Sequence, residues 1–195
     1  MKAGVISIQG DVSEHLAALE SAMASLSMHG EAIRVRNVEE VKEVDALVIP
    51  GGESTTISKL LKRFGMFDAI IRRANEGMPL MGTCAGCILL AKKGDMQVDR
   101  TSTSLLGLMD MRVDRNYFGR QRESFEADLS IDGLTDKFRG VFIRAPAIIE
   151  TWGNCKPLSR IGDRIAMARQ DNIVGLVFHP ELSGDSSIHR MLLEI

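Results

Sequence analysis

Apolar runs of strand length alternate with segments of helical period through the first half of the chain. GVISIQG (4–10) reads as a buried strand, and DVSEHLAALESAMASL after it sets Leu16, Leu19, Met23 and Leu26 on one helical face. AIRVRN and DALVIP predict two further strands, the second running into GGEST and a helix over TTISKLLKRFG. PLMGT predicts a fourth strand, entering a helix over AGCILLAKKG. Such alternation implies parallel strands with right-handed crossovers, and functional groups collect beyond the carboxyl ends of such strands. The second half changes character: MDMRVD, FEADLSI, GVFIRAP, AIIETW, RIAMARQ and NIVGLVFHPEL are short strand-like runs with few helices between them. Asp171 and Asn172 suit a hairpin turn, and SSIHRMLLEI closes the chain as a short helix. The expected fold is α/β: an open, mostly parallel sheet flanked by helices, with an antiparallel extension. No repeat, linker or low-complexity tract interrupts it, so residues 1–195 are expected to form a single domain.

Composition narrows the function. The chain is 45% apolar and 26% charged, as in a folded globular protein. A net charge of −2 with no block of Lys or Arg gives no reason to expect nucleic acid. No apolar run is long enough to span a membrane, and MKAGVISIQG lacks a signal peptide's layout. Three cysteines suit a reducing cytoplasm better than a disulfide framework.

Two of those cysteines, Cys84 and Cys87, are spaced C-x-x-C, and their surroundings separate the readings. Gly82-Thr83-Cys84-Ala85-Gly86 places G-x-C-x-G between a strand and a helix, the cysteine form of a nucleophile elbow. A thiol at a helix N-terminus is favoured as thiolate, and the Ala85 N–H is placed to face a developing oxyanion. Cys87 falls in the apolar run that follows and reads as a small buried hydrophobe. A redox pair is the rival reading. Zinc has little support, since Cys155 stands alone and no His follows at ligand spacing.

A cysteine nucleophile needs a base, and Phe178-His179-Pro180-Glu181-Leu182 supplies one. Pro180 predicts an extended tripeptide with His179 and Glu181 on one face, so the carboxylate can orient the imidazole toward Cys84. A plain turn is the alternative. His15, His29 and His189 read as surface or capping residues. Pro50-Gly51-Gly52-Glu53-Ser54-Thr55 ends another strand without either phosphate-binding spacing, and its N–H groups suit the other side of an oxyanion hole.

Together GTCAG, FHPEL and PGGEST resemble the class I (triad) glutamine amidotransferases, with their flavodoxin-like sheet. Gln9-Gly10, RNYFGRQ (115–121), SFEADL and FIRAP (142–146) narrow the resemblance to the glutaminase subunits of two-component pyridoxal 5'-phosphate synthases. The resemblance implies a Cys84–His179–Glu181 triad that hydrolyses L-glutamine to L-glutamate and ammonia. It implies a glutamine pocket lined by Gly52, Glu53, Ser54, Arg115, Ile143 and Arg144, with an arginine suited to the substrate's α-carboxylate. It further implies a separate, barrel-shaped synthase subunit that receives the ammonia, and no cofactor or metal in this chain. Gln9 is expected near the site. Cys87 stands where a larger apolar residue is expected, and GDMQVDRTSTSLLG (94–107) reads as an atypical surface loop. The rival function is another elbow-cysteine hydrolase or peptidase of similar fold.

Overall fold

The computed structural model describes residues 1–10, 12–115 and 124–195. In chain order the strands are β1 (Lys2–Ile6), β2 (Glu31–Val35), β3 (Ala46–Ile49), β4 (Leu80–Thr83), β5 (Ala91–Lys93), β6 (Met109–Asp114), β7 (Phe125–Leu129), β8 (Phe138–Phe142), β9 (Ala147–Thr151), β10 (Lys156–Ile161), β11 (Arg164–Gln170) and β12 (Ile173–Leu176). The helices are α1 (Val12–Ser25), α2 (Val38–Glu43), α3 (Ser54–Arg63), α4 (Met66–Asn75), α5 (Ala85–Leu90), α6 (Met96–Arg100) and α7 (Ser187–Leu193).

One sheet carries the fold, in the order β2-β1-β3-β4-β12-β11-β9-β6-β5, with β10 also paired to β11. The first five strands in that order are mutually parallel. Beyond them β11 runs antiparallel to β12 and to β9, and β9 antiparallel to β6. β7 and β8 form a separate antiparallel pair. The expected parallel sheet with an antiparallel extension is therefore what the chain builds. Every residue of β3, β4 and β12 is buried, as strands covered on both faces require.

The chain crosses over after β1, so the loops following β1, β3, β4 and β12 leave neighbouring strands at the same edge of the sheet. Gln9, Gly51–Gly52, Cys84 and His179 lie in those segments. This is where an open α/β sheet offers its crevice.

Three expectations are corrected. The helix over AGCILLAKKG ends at Leu90, and Ala91–Lys93 pairs with β6 instead. The carbonyls of Leu89 and Leu90, which a short helix leaves open, accept from the Leu106 and Leu108 N–H groups. Residues 94–107 are more than a surface loop: Asp95 caps α6, Val98 is buried, and Thr103 and Ser104 bond to α3 through Thr55 and Ser58. β10 had no expected counterpart, because a polar strand containing Pro157 and paired, among the described residues, only to β11 lacks a buried strand's pattern.

Candidate active site

Cys84 sits between β4 and α5 with φ 49° and ψ −104°, a backbone conformation that an L-residue holds only when its surroundings force it. The forcing contacts are visible. The Cys84 N–H donates to the Leu176 carbonyl at 2.9 Å, tying the turn to β12. A Cβ on Gly86 would meet the Ile49 carbonyl oxygen at 2.1 Å, and one on Gly82 would meet the Gly86 carbonyl carbon at 2.6 Å. Small residues flank the cysteine because β3, β4 and α5 converge there. Ala85 is the first residue of α5, so its N–H has no acceptor within that helix.

His179 caps a 3₁₀ turn over Pro180–Leu182, so the tripeptide is not extended as expected. Pro180 favours the first position of such a turn, and the Leu182 N–H reaches back to the His179 carbonyl. The predicted partnership forms all the same: His179 Nδ1 lies 2.7 Å from Glu181 Oε1, with both side chains buried. The His179 N–H is anchored to the Val141 carbonyl of β8 at 2.8 Å. Burial disfavours the imidazolium, but hydrogen bonds to the Cys84 and Glu181 side chains, with their charges, outweigh it and raise the His179 pKa to about 10. His179 thus bridges the thiol and the carboxylate.

The glycine turn closes over this pair. A Cβ on Gly51 would stand 2.6 Å from His179 Cε1, so only hydrogen fits against the ring. Gly52 takes φ +140°, which a side chain would strain. Gln9 Oε1 accepts the Glu53 N–H at 3.1 Å, and Gly10 presses so close to the Gly51 carbonyl that a Cβ there is excluded. Gln9, left without an assigned role by sequence, braces the turn.

Glu53 caps α3, accepting from the Thr55 and Thr56 N–H groups and from the Thr56 hydroxyl. Its partial burial opposes ionisation, but these bonds and the Arg115 charge outweigh it and bring its pKa down to about 2. The Arg115 guanidinium pairs with Glu53 and donates to Thr55 Oγ1 at 3.0 Å, while its backbone N–H donates to Asp95. The rest of RNYFGRQ lies outside the described residues. Ser54 is buried, and its hydroxyl has no partner among the described residues. Ile143 and Arg144 follow β8 and are exposed, with Arg144 at φ 45°.

Two histidines that the sequence reads as surface or capping residues are neither exposed nor at a cap. His15 and His189 are both fully buried, and His15 Nε2 lies 3.3 Å from Glu181 Oε2. The signal available was position: His15 falls four residues before Leu19, inside the buried stripe Val12, His15, Leu19, Ala22 and Met23.

Cys87 is fully buried behind Cys84, and burial first, then the two other cysteines, push its thiol pKa well up. That is the setting of an inert core thiol rather than half of a redox pair. Among the described residues no cluster of His, Cys, Asp and Glu is arranged to hold a metal, and no helix is long and apolar enough to cross a membrane.

Comparison with known proteins agrees with this geometry. Residues 5–194 match the SNO glutamine amidotransferase family. The chain is 51% identical over 193 residues to a pyridoxal 5'-phosphate synthase subunit PdxT of Methanosarcina acetivorans, covering 99% of this chain and 97% of that protein. It is 50% identical over 195 residues to the PdxT subunit of Archaeoglobus fulgidus, covering 100% of this chain and 98% of that one. A crystal structure of a glutamine amidotransferase superimposes with a TM-score of 0.86 at 43% identity, covering 98% and 97% of the two chains. The PurLQS structure from Thermotoga maritima, at 17% identity and a TM-score of 0.66 over 99% and 95%, shares the fold.

Proposed function

The chain belongs to the SNO glutamine amidotransferase family, and from that premise we propose that it is the glutaminase subunit of a pyridoxal 5'-phosphate synthase. The observation that carries the reading is His179 held between the Cys84 thiol and the Glu181 carboxylate at the carboxyl edge of a parallel sheet.

In this reading His179 takes the Cys84 thiol proton, and the sulfur attacks the side-chain amide carbon of glutamine. The oxyanion forms against the Ala85 and Gly52 N–H groups. Collapse of the tetrahedral species breaks the C–N bond as His179 returns its proton to the departing nitrogen, releasing ammonia and leaving a γ-glutamyl thioester. His179 then takes a proton from water, which attacks the thioester; glutamate leaves and the thiol recovers its proton. Glu181 holds the imidazole in the tautomer with Nδ1–H and supports its charged form.

The opposed charges of Glu53 and Arg115 match the two ends of a free amino acid. They pair with each other in the structure, and glutamine exchanges into that pair, its carboxylate taking the guanidinium. Ser54 brings a buried hydroxyl that has no partner among the described residues, and the exposed Ile143 and Arg144 are assigned to the far wall of the pocket. The ammonia passes to a barrel-shaped synthase subunit, whose docking orders the Gly52 side of the oxyanion hole. The chain works as one unit over 1–195, in the cytoplasm, without nucleic acid and without a cofactor of its own.

The test is glutamate release from glutamine by the purified chain, with and without the synthase subunit. Release that requires or rises with the partner, and is lost in Cys84→Ala, is the expected result. Full activity in Cys84→Ala, or peptide cleavage without glutaminase activity, overturns it.

A further inference from the structure

Behind the carboxylate of Glu181 lies a buried histidine pair with no part in the steps above. His15 Nε2 is 3.2 Å from Thr83 Oγ1 and 3.3 Å from Glu181 Oε2, and His15 Nδ1 is 2.9 Å from His189 Nε2. All four side chains are closed off from solvent: His15, Thr83 and His189 have no exposure, nor has the side chain of Glu181. These contacts join α1, α7, the end of β4 next to the nucleophile, and the turn that carries the base.

The hydrogen positions follow from the acceptors. An ionised carboxylate only accepts, so the His15 nitrogen facing Glu181 must carry the hydrogen. That N–H bonds to Thr83 Oγ1 and turns its positive end toward Glu181 Oε2. In a neutral ring the other nitrogen, Nδ1, is then a bare acceptor, so His189 Nε2 must donate to it. His189 Nδ1 is left without hydrogen, and among the described residues it has no partner. Both rings are neutral: burial foremost, then the charges of His189 and His179, holds His15 well below its ordinary pKa, and burial lowers His189 to about 4.

We propose that His15, held at its Nδ1 by the His189 N–H, is a positioning residue that fixes the Glu181 carboxylate against the strand end bearing Cys84. The inference rests on the glutaminase reading for its rate measurement, but not for its second readout. A carboxylate in a 3₁₀ turn has freedom to rotate, and its Oε1 must stay on His179 Nδ1 while the imidazole gives and takes protons. His15 removes that freedom from the side away from substrate. The groups facing this cluster are His15 from α1, His189 from α7, His179 and Glu181 from the loop after β12, and Thr83 and Cys84 from the β4–α5 turn. Glu14 and Asp185 line the adjoining surface groove of about 310 Å³, together with Glu181.

The experiment compares His15→Leu, which fills the space without a donor, with His15→Gln, whose amide can return an N–H near the Nε2 position. Both are assayed as full-length chains with the synthase subunit in excess. Losing the bond to Thr83 and the N–H dipole turned toward the ionised carboxylate predicts that kcat falls by about tenfold to a hundredfold in His15→Leu. KM for glutamine should stay within about twofold, with kcat within about threefold of the parent in His15→Gln, since substrate never touches this residue. The second readout needs no glutamine: the pH dependence of Cys84 alkylation by iodoacetamide, whose alkaline limb reports His179, should move to lower pH in His15→Leu and return in His15→Gln. A folded His15→Leu protein with parental kcat and an unmoved limb overturns the proposal. Should His15→Leu fail to fold, His15→Gln decides it, a parental rate and limb supporting the donor role and a loss of tenfold or more in folded protein overturning it. A parent chain that shows no glutaminase activity defeats the functional reading while the alkylation profile still tests His15.

Discussion

The missing side chain of Gly51 is the space that the His179 imidazole occupies: a Cβ there would lie 2.6 Å from Cε1 of the ring. The glycine turn and the base are therefore one packed unit. Gly51→Ala should push the ring off the Cys84–Glu181 line, and displacements of about 1 Å in a catalytic group lower turnover by roughly a hundredfold. Steady-state glutaminase assays with the synthase subunit would show a fall in kcat, and urea unfolding a loss of about 1–3 kcal/mol from overpacking the buried ring.

Glu181→Gln removes a charge and changes the hydrogen bond that helps hold the His179 pKa near 10. Both contributions favour the imidazolium, so their loss lowers that pKa. Below the limb His179 has a proton to give to departing ammonia, and above it has none. The alkaline decline in kcat should accordingly begin at lower pH in the variant, with kcat at neutral pH also reduced. A pH–rate profile across pH 6 to 10.5 checks both.

Arg115→Ala should raise KM for glutamine more than it lowers kcat, since the guanidinium is assigned to the α-carboxylate rather than to the reacting amide. Glu53→Gln should also destabilise the fold by about 1 kcal/mol at neutral pH, the usual magnitude for losing a helix N-cap. The sign of its pH dependence is definite. The folded-state pKa, about 2, lies below the carboxyl's ordinary 4.5, so the contribution is complete above pH 4.5 and is lost as pH falls toward 2. Urea unfolding of parent and variant should converge over that window.

The buried histidines set a second acid sensitivity. His15 and His189 both have folded-state pKa values below the ordinary 6.5, with His189 near 4. The unfolded chain therefore binds their protons first, and the stability they confer is complete above pH 6.5 and declines as pH falls toward 4. Replacing His189 with Leu removes one such group. The drop in unfolding free energy between pH 7 and pH 4 should be smaller in the variant, by up to roughly 3 kcal/mol for a shift of this size. Equal drops in the two proteins would show that the fold does not lower the His189 pKa.

Much of this molecule is set by local pattern. Four parallel strands, the turn at Asp171 and the terminal helix follow from apolar runs and turn residues, because each is a contest between neighbouring residues for burial and backbone conformation. GTCAG belongs to the same class: glycines on both sides of a cysteine between strand and helix record crowding that the structure displays against Ile49 and Leu90. The pairing of His179 with Glu181 was also legible, although the backbone between them turns where extension was expected.

Other features depended on contacts between distant segments. Ala91–Lys93 leaves the helical path because β6 offers it a ladder, and residues 94–107 gain a helix and a place under α3. His15 shows the difference most clearly. Local pattern placed it on an amphipathic helix, but its burial depends on α7 and the β12 turn arriving from the far end of the chain, with Glu181 among what they bring. Sequence determined which side chains were available for chemistry; tertiary packing decided which would be dehydrated, and a dehydrated polar group must find its partner inside the fold.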